Sequence, residues 1–230
     1  MLVATRNPLN LGAAARAMSN FGVLRLRVVN PFEIAFREAR SAVGAEAVLR
    51  EAREYGSLAE AVADCRLVVG TTAGTGRDPR LPLRRLEEGA SELRTQLQSG
   101  SAALVFGSEK RGLANQDLDH CHWLIRIPTR AEHPSMNLGQ AVAVCLYELI
   151  RSEGPAAVTP AKRLATSENL ERMTALLLEA LTASGYVGPR TAGSSEDKLR
   201  RVVRRLEVPA EDAEVWLGML RQIAWKLKRG

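Results

Sequence analysis

Ser135-Met136-Asn137-Leu138-Gly139-Gln140-Ala141-Val142 passes from small and amide side chains straight into an apolar run that reads as a helix to about Ile150. The first backbone N–H groups of a helix have no intrahelical partner, so polar side chains or a bound anion satisfy them. Such a junction both starts a helix and offers a place to hold a ligand. A counterpart stands near the other end of the same stretch of chain, Asn7-Pro8-Leu9-Asn10-Leu11-Gly12-Ala13-Ala14-Ala15-Arg16-Ala17. Two polar-loop-to-helix junctions this far apart point to one site assembled from both ends of a fold.

Between the two junctions, short apolar runs alternate with helical spacing. Strands are expected at Leu2–Thr5, Leu24–Val29, Leu67–Gly70, Ala102–Phe106 and Trp123–Ile127. Helices are expected at Leu11–Phe21, closed by Gly22, at Leu58–Asp64 with Ser57 as N-cap, at Leu83–Leu97, and from Asn115 or Asp117. Pro31 to about Tyr55 reads as irregular helix with a break at Gly44. Alternating strands and helices predict an α/β fold with a mainly parallel sheet covered on both faces. Ligands bind such sheets at the carboxyl ends of the strands. Chemistry is therefore sought in Arg6-Asn7-Pro8, Thr71–Gly76, Gly107-Ser108-Glu109-Lys110-Arg111-Gly112 and Pro128–Asn137.

The chain has 230 residues, 46% of them hydrophobic and 25% charged, enough for a sizeable core and no sign of disorder. A net charge of +6 favours an anionic partner. Aromatic residues make up only 4%, which argues against a stacking platform for single-stranded bases. Cys65, Cys121 and Cys145 lie apart in apolar segments, so a reducing compartment is expected rather than a disulfide framework. No metal site is expected: His120, His122 and His133 are close but not in His-Glu-x-x-His spacing. No apolar run approaches the ~18 residues of a membrane span, and Met1-Leu2-Val3-Ala4 enters a strand with no signal peptide in view.

Composition shifts between Ser152 and Thr166, where Gly154, Pro155 and Pro160 break any helix. Three segments are expected: a main domain over 1–153, a linker over 154–166 and a helical extension over 167–230. Helical spacing returns at Ser167–Ser184 and Asp212–Lys228. Between them Lys198, Arg200, Arg201, Arg204 and Arg205 surround Leu199, Val202, Val203 and Leu206, an amphipathic basic helix that either docks RNA or covers a partner subunit. The extension should lean on the main domain or on another chain.

The common phosphate-binding signatures are absent. Gly107-x-x-x-x-Gly112 is followed by Leu113-Ala114 rather than Lys-Ser/Thr, and no Gly-x-Gly-x-x-Gly occurs near Gly70–Gly76. Arg16 stands out in a helix otherwise made of Ala13, Ala14, Ala15, Ala17 and Met18. It is either a surface residue whose stem covers apolar area, or a guanidinium aimed at a phosphate or carboxylate. Glu109 is either a solvated loop acid or a carboxylate facing a cationic ligand or orienting Arg16. Asn7, Asn10, Ser135 and Asn137 fit cap and turn positions as well as site positions. Arg77, Arg80, Arg84 and Arg85 form a solvated basic face that also suits an RNA backbone.

Taken together, three segments resemble the motifs of SPOUT-class RNA 2′-O-methyltransferases, the TrmH superfamily. The first is Asn7-Pro8-x-Asn10-x-Gly12-Ala13-Ala14-Ala15-Arg16-Ala17 with Asn20-Phe21-Gly22. The second is Leu104-Val105-Phe106-Gly107-Ser108-Glu109 with Gly112-Leu113. The third is Ile127-Pro128 followed by Ser135-Met136-Asn137-Leu138 and Ala141-Val142. They stand in order and cover residues 1 to about 150. The Gly70-Thr71-Thr72-Ala73 run and the basic tail look most like the branch of that class that methylates cytidine or uridine at nucleotide 32 of the tRNA anticodon loop.

The resemblance implies a parallel α/β fold with a trefoil knot at its carboxyl end, a cytoplasmic homodimer and a tRNA substrate. It implies S-adenosylmethionine as methyl donor, held by Thr71, Thr72, Ala73 and Gly74, by Phe106, Gly107 and Glu109, by Ile127 and Pro128, and by Ser135, Met136, Asn137 and Leu138. It assigns the ribose hydroxyl step to Arg16, with Asn7, Glu109, Ser135 and Asn137 as further catalytic residues. Family members usually carry several residues before the first strand, whereas here the first motif begins almost at Met1.

Overall fold

The computed structural model describes residues 1–32, 44–74, 81–98, 100–151, 163–188 and 192–229. Strand β1 (Leu2–Val3) leads through Asn7 into helix α1 (Pro8–Asn20). Asn7 Oδ1 accepts from the Leu9 N–H at 2.9 Å, and Pro8 takes a first-turn position whose N–H would have no partner anyway. Gly22, at φ +69°, supplies the left-handed residue just past the helix end. Strand β2 (Arg27–Val29), helix α2 (Glu46–Arg50), strand β3 (Arg53–Tyr55), helix α3 (Leu58–Val62) and strand β4 (Leu67–Thr71) follow. Ser57 caps α3 by accepting from the Glu60 N–H. Then come β5 (Leu83–Arg85), α4 (Leu86–Leu97), β6 (Ala102–Val105), α5 (Asn115–Leu118), β7 (Trp123–Arg126) and α6 (Leu138–Ile150).

All strand pairs are parallel, in the orders β1-β2-β3 and β5-β7-β4-β6. Bonds from Val3 N to Phe106 O (2.8 Å) and from Phe106 N to Met1 O (3.0 Å) join β1 to the end of β6. The result is one parallel sheet in the order β5-β7-β4-β6-β1-β2-β3. Period-2 alternation distributes its inner strands to two cores. Leu67, Val69, Trp123 and Ile125 pack with α1, α4 and α6, while Val68, Ala103, Val105 and Leu124 pack with α3. Helices α1 and α6 lie against each other. A Cβ on Gly139 would stand 2.6 Å from the Ala13 Cβ, so the absent side chain sets how closely they meet.

Helices α7 (Ser167–Ala183), α8 (Ala192–Arg205) and α9 (Ala213–Leu227) form a second cluster around Leu170, Met173, Val203, Leu217 and Leu220. This tail leans on the sheet's own chain. Ser167 N donates to Cys65 O at 2.8 Å, Glu168 N to Ala63 O at 3.0 Å, and the Arg66 guanidinium to Leu164 O.

Several expected boundaries are corrected. Arg53–Tyr55, read as helix, is a strand in parallel register with β2. Leu83–Arg85, read as the start of a helix, is a strand on β7, and α4 begins only at Leu86. The second strand is confined to Arg27–Val29 rather than beginning at Leu24, and α1 begins at Pro8 rather than Leu11. Both misread strands occupy the sheet's edges, where charged residues guard against unwanted pairing and blur the apolar pattern. Residues 33–43 of the expected irregular helix, Thr75, Gly76, Arg77 and Arg80, and the expected linker apart from 163–166 lie outside the described residues. Among the described residues no helix is long and apolar enough to cross a membrane, and no cluster of metal-ligating side chains occurs. The three cysteines are buried and free.

Candidate active site

The carboxyl ends of β4, β6 and β7 open into one cavity of about 820 Å³. That volume suits a small molecule with several functional groups. Its floor is apolar, from Leu81, Leu83, Leu113, Leu124 and Leu138, and its rim is formed by the loops that leave the strands. The cavity gathers Thr71, Thr72, Ala73 and Gly74 after β4, Phe106, Gly107 and Glu109 after β6, Ile127 after β7, and Ser135, Met136 and Leu138 at the entrance to α6. Pro128 and Asn137, expected with them, are not in its lining, nor are Asn7 and Arg16.

The turn after β6 is shaped by a close backbone approach. Ser108 N donates to Gly112 O at 3.2 Å and Gly112 N returns to Ser108 O at 2.8 Å. A Cβ on Gly107 would lie 2.0 Å from the Gly112 carbonyl carbon, so only glycine allows this turn to fold back on itself. Glu109 is thereby brought to the start of α1. Its Oε1 accepts from Asn10 Nδ2 at 3.1 Å and from Asn7 N at 3.3 Å, and its Oε2 from Arg6 N at 3.4 Å. Burial acts to raise the Glu109 pKa. Its own backbone N–H, Asn10 and the amides of Asn7 and Arg6 outweigh that and hold the carboxyl below its usual value. Glu109 is thus occupied as the anchor of the first motif; among the described residues Arg16 is not its partner.

Asn137 closes the arrangement. Its Oδ1 caps α6 by accepting from Gly139 N at 2.9 Å and Gln140 N at 3.4 Å, and its Nδ2 donates to Asn10 Oδ1 at 2.8 Å. Asn7 is the N-cap of α1, as its cap-like sequence position allowed. Arg16 is exposed on α1, two turns beyond that cap, with no hydrogen bond or ion pair among the described residues. It is free to meet a partner from solution.

Two charged cavity residues were not foreseen as part of the site, Asp119 and Arg201. Arg201 comes from the tail, and its Nη1 donates to Asp119 Oδ1. One turn on, Arg204 is 1% exposed and donates to Asp119 O at 3.1 Å and Glu171 Oε1 at 2.8 Å. Arg200 donates to Glu171 Oε2 at 3.0 Å. Burial would raise the Glu171 carboxyl, but His120, Arg204 and Arg200 hold it at about 2. The basic helix therefore turns three of its five cations inward, whereas Lys198 and Arg205 are exposed. The one sequence signal for this was Val203 beside Arg204, which marks the buried side of the helix.

Comparisons with known proteins give the family. The model of the SpoU rRNA Methylase family matches residues 1–147. A tRNA (cytidine/uridine-2′-O-)-methyltransferase TrmJ from Sodalis glossinidius is 33% identical over 97% of this chain and 89% of its own length. The TrmJ of Klebsiella pneumoniae subsp. pneumoniae is 35% identical over 97% and 94%. The crystal structure of TrmJ from Z. mobilis ZM4 superposes with a TM-score of 0.81 at 31% identity, covering 96% of both chains. A solved structure concerned with the 2-OH methylation of C/U34 on tRNA aligns at 26% identity with a TM-score of 0.51, covering 65% of this chain and 91% of its own. With two of its motifs lining one strand-end cavity, the first tied to both through Asn10, and a family match across the whole sheet, the chain belongs to the SpoU rRNA methylase family.

Proposed function

We propose that this chain methylates a ribose 2′-hydroxyl of tRNA, at cytidine or uridine 32 of the anticodon loop, with S-adenosylmethionine bound in the strand-end cavity. The observation that carries this reading is the convergence of the second and third motif loops on one cavity, with the first motif tied to both through Asn10, Glu109 and Asn137. The residues fit the donor. Leu81, Leu83 and Leu124 offer an apolar seat for a flat base, and the Thr71–Gly74 and Phe106–Gly107 backbones bring polar groups to its edges. When bound, the donor supplies an electrophilic methyl group on a sulfonium.

The chain's own residues would then position the nucleophile. A ribose hydroxyl is weakly acidic and needs hydrogen bonding or deprotonation as it attacks. Arg16, exposed and unpaired among the described residues, would grip the adjacent RNA phosphate and lower the cost of the forming alkoxide. Asn7 and Glu109 would fix the start of the helix from which Arg16 projects two turns on, while Ser135 would face the donor. Pro128 and Asn137 would shape the wall from behind rather than touch the donor. The same reading includes the knotted path of the chain, a homodimer with the site near the subunit interface, and action in the cytoplasm.

Nucleotide 32 rests on the resemblance of the Gly70-Thr71-Thr72-Ala73 run and the basic tail; the protein studied with C/U34 aligns over 65% of this chain. The test is mass spectrometry of nucleosides and fragments from bulk tRNA and ribosomal RNA after incubation with labelled donor. Label as 2′-O-methylcytidine or 2′-O-methyluridine at 32 supports the proposal. Label at 34 or in ribosomal RNA replaces it with a sibling activity, and no label in any RNA leaves a binding module.

A further inference from the structure

We propose that the Arg201–Asp119 ion pair is the seat of the methyl donor's zwitterionic amino-acid end, so that the donor site is complete only when tail helix α8 is docked. This rests on the reading of the cavity as a methyl-donor site. Both residues line the cavity, with side chains 13% and 7% exposed. A guanidinium carries five N–H groups in a planar fork. Among the described residues Arg201 gives up one of these, to Asp119, and has no other partner. Its remaining nitrogens are not among the sealed, unsatisfied polar atoms of the protein. They belong to a side chain that lines the cavity. Asp119 likewise has a second carboxylate oxygen, Oδ2, with no bond among the described residues.

An arginine beside an aspartate is the charge complement of an α-carboxylate beside an α-ammonium. The free edge of Arg201 can take the carboxylate in a charge-assisted pair, and Asp119 can take the ammonium. Among the described residues no other charged pair in the lining is placed to do this. Glu109 is held by Asn10 and two backbone amides. Lys110 and Arg111 are exposed on the 107–112 turn. The pair is also rigidly based. Arg204 anchors the same helix to the Asp119 carbonyl, and Glu171 of α7 holds both Arg200 and Arg204. Tail docking and the geometry of the pair are thus one event.

The test compares two nucleosides by calorimetry with the full-length protein. S-adenosylhomocysteine carries the amino-acid end; 5′-methylthioadenosine lacks it. Arg201→Ala should weaken S-adenosylhomocysteine by about 10- to 100-fold and leave 5′-methylthioadenosine within about twofold of wild type. Arg201→Lys, which keeps the charge but loses the fork, should fall between. In turnover, Arg201→Ala should raise KM for the donor far more than it lowers kcat. Equal losses for both nucleosides would assign Arg201 a purely structural part and overturn the proposal, as would unchanged affinity for both. Failure of the wild type to bind either nucleoside would instead sink the methyl-donor reading itself, and this proposal with it.

Discussion

Asn137 and Asn10, 127 residues apart, share a 2.8 Å hydrogen bond that ties the N-terminus of α6 to the first turn of α1. The direction of that bond is dictated by its surroundings. Glu109 is ionised and only accepts, so Asn10 must present its Nδ2 there and its Oδ1 to Asn137. Asn137 must spend its own Oδ1 on capping α6, which leaves its Nδ2 for Asn10. Each amide is therefore used at both ends, and the three motif segments are locked in a single relative position.

Asn10→Asp reverses one polarity in this chain. It sets a second carboxylate against Glu109 at the position where a donor now stands 3.1 Å away. Like charges at that separation disfavour ionisation of one of them. The variant should lose about 1–3 kcal/mol of stability at pH 8 in urea unfolding, and the loss should shrink as pH falls toward 5. Equal stability of variant and wild type at pH 8 would show that Asn10 does not donate to Glu109.

Arg16 is separable from donor binding because it lies outside the cavity lining. Arg16→Ala should lower turnover about 100-fold or more, the loss of a cation acting on charge that develops during transfer. Donor affinity by calorimetry should stay within about twofold. Weakened donor binding with retained turnover would reassign Arg16 to the cavity.

Gly107→Ala tests the turn. With 2.0 Å between the added Cβ and the Gly112 carbonyl carbon, the Ser108–Gly112 bridge cannot survive unchanged. Phe106 precedes this position and Glu109 follows two residues on, so the change should abolish donor binding while the α7–α9 helices, packed around their own core of Leu170, Met173 and Leu217, keep their helicity. Calorimetry together with far-ultraviolet circular dichroism reads the two parts. Intact donor binding would mean that the turn opens without consequence for the cavity.

The inner strands are legible in sequence because they are buried on both faces and thus nearly all apolar, as in Leu67-Val68-Val69 and Trp123-Leu124-Ile125. The edge strands are not. Arg53-Glu54-Tyr55 and Leu83-Arg84-Arg85 each pair on one side only and keep charged residues in or near solvent. Cap residues could be located but not interpreted: Asn7 and Asn137 serve as caps, yet which other groups they meet depends on the sheet order that brings Glu109 and Asn10 together. The basic helix shows the same limit. Its apolar side was plain, but the acids that draw Arg200, Arg201 and Arg204 inward, Glu171 and Asp119, lie about 30 and 80 residues upstream. Local pattern carries no information about partners at that range.

Acid should weaken the fold in a window to which a buried imidazole contributes beside the N-terminal ammonium, whose pKa burial lowers from 8.0 to about 5. His122 is 4% exposed, and its Nδ1 accepts from Val68 N at 3.1 Å, so the ring is neutral with its proton on Nε2. Burial, aided by the charge of Arg204, lowers its pKa from 6.5 to about 3. The unfolded chain takes up a proton at His122 below pH 6.5 and the folded chain does not, so this contribution is fully present above that pH and is lost as pH falls toward 3. Glu171, at about 2 against an ordinary 4.5, adds its own loss only below about pH 4.5. Between pH 6.5 and 4.5 the imidazole alone should remove about 2–3 kcal/mol. His122→Asn keeps an acceptor for the Val68 N–H and cannot titrate. Whatever its stability at pH 7.5, its urea-unfolding free energy should fall less than the wild type's over that interval, by about that amount. Parallel losses in the two proteins would mean that His122 is protonated as readily in the folded chain as in the unfolded one.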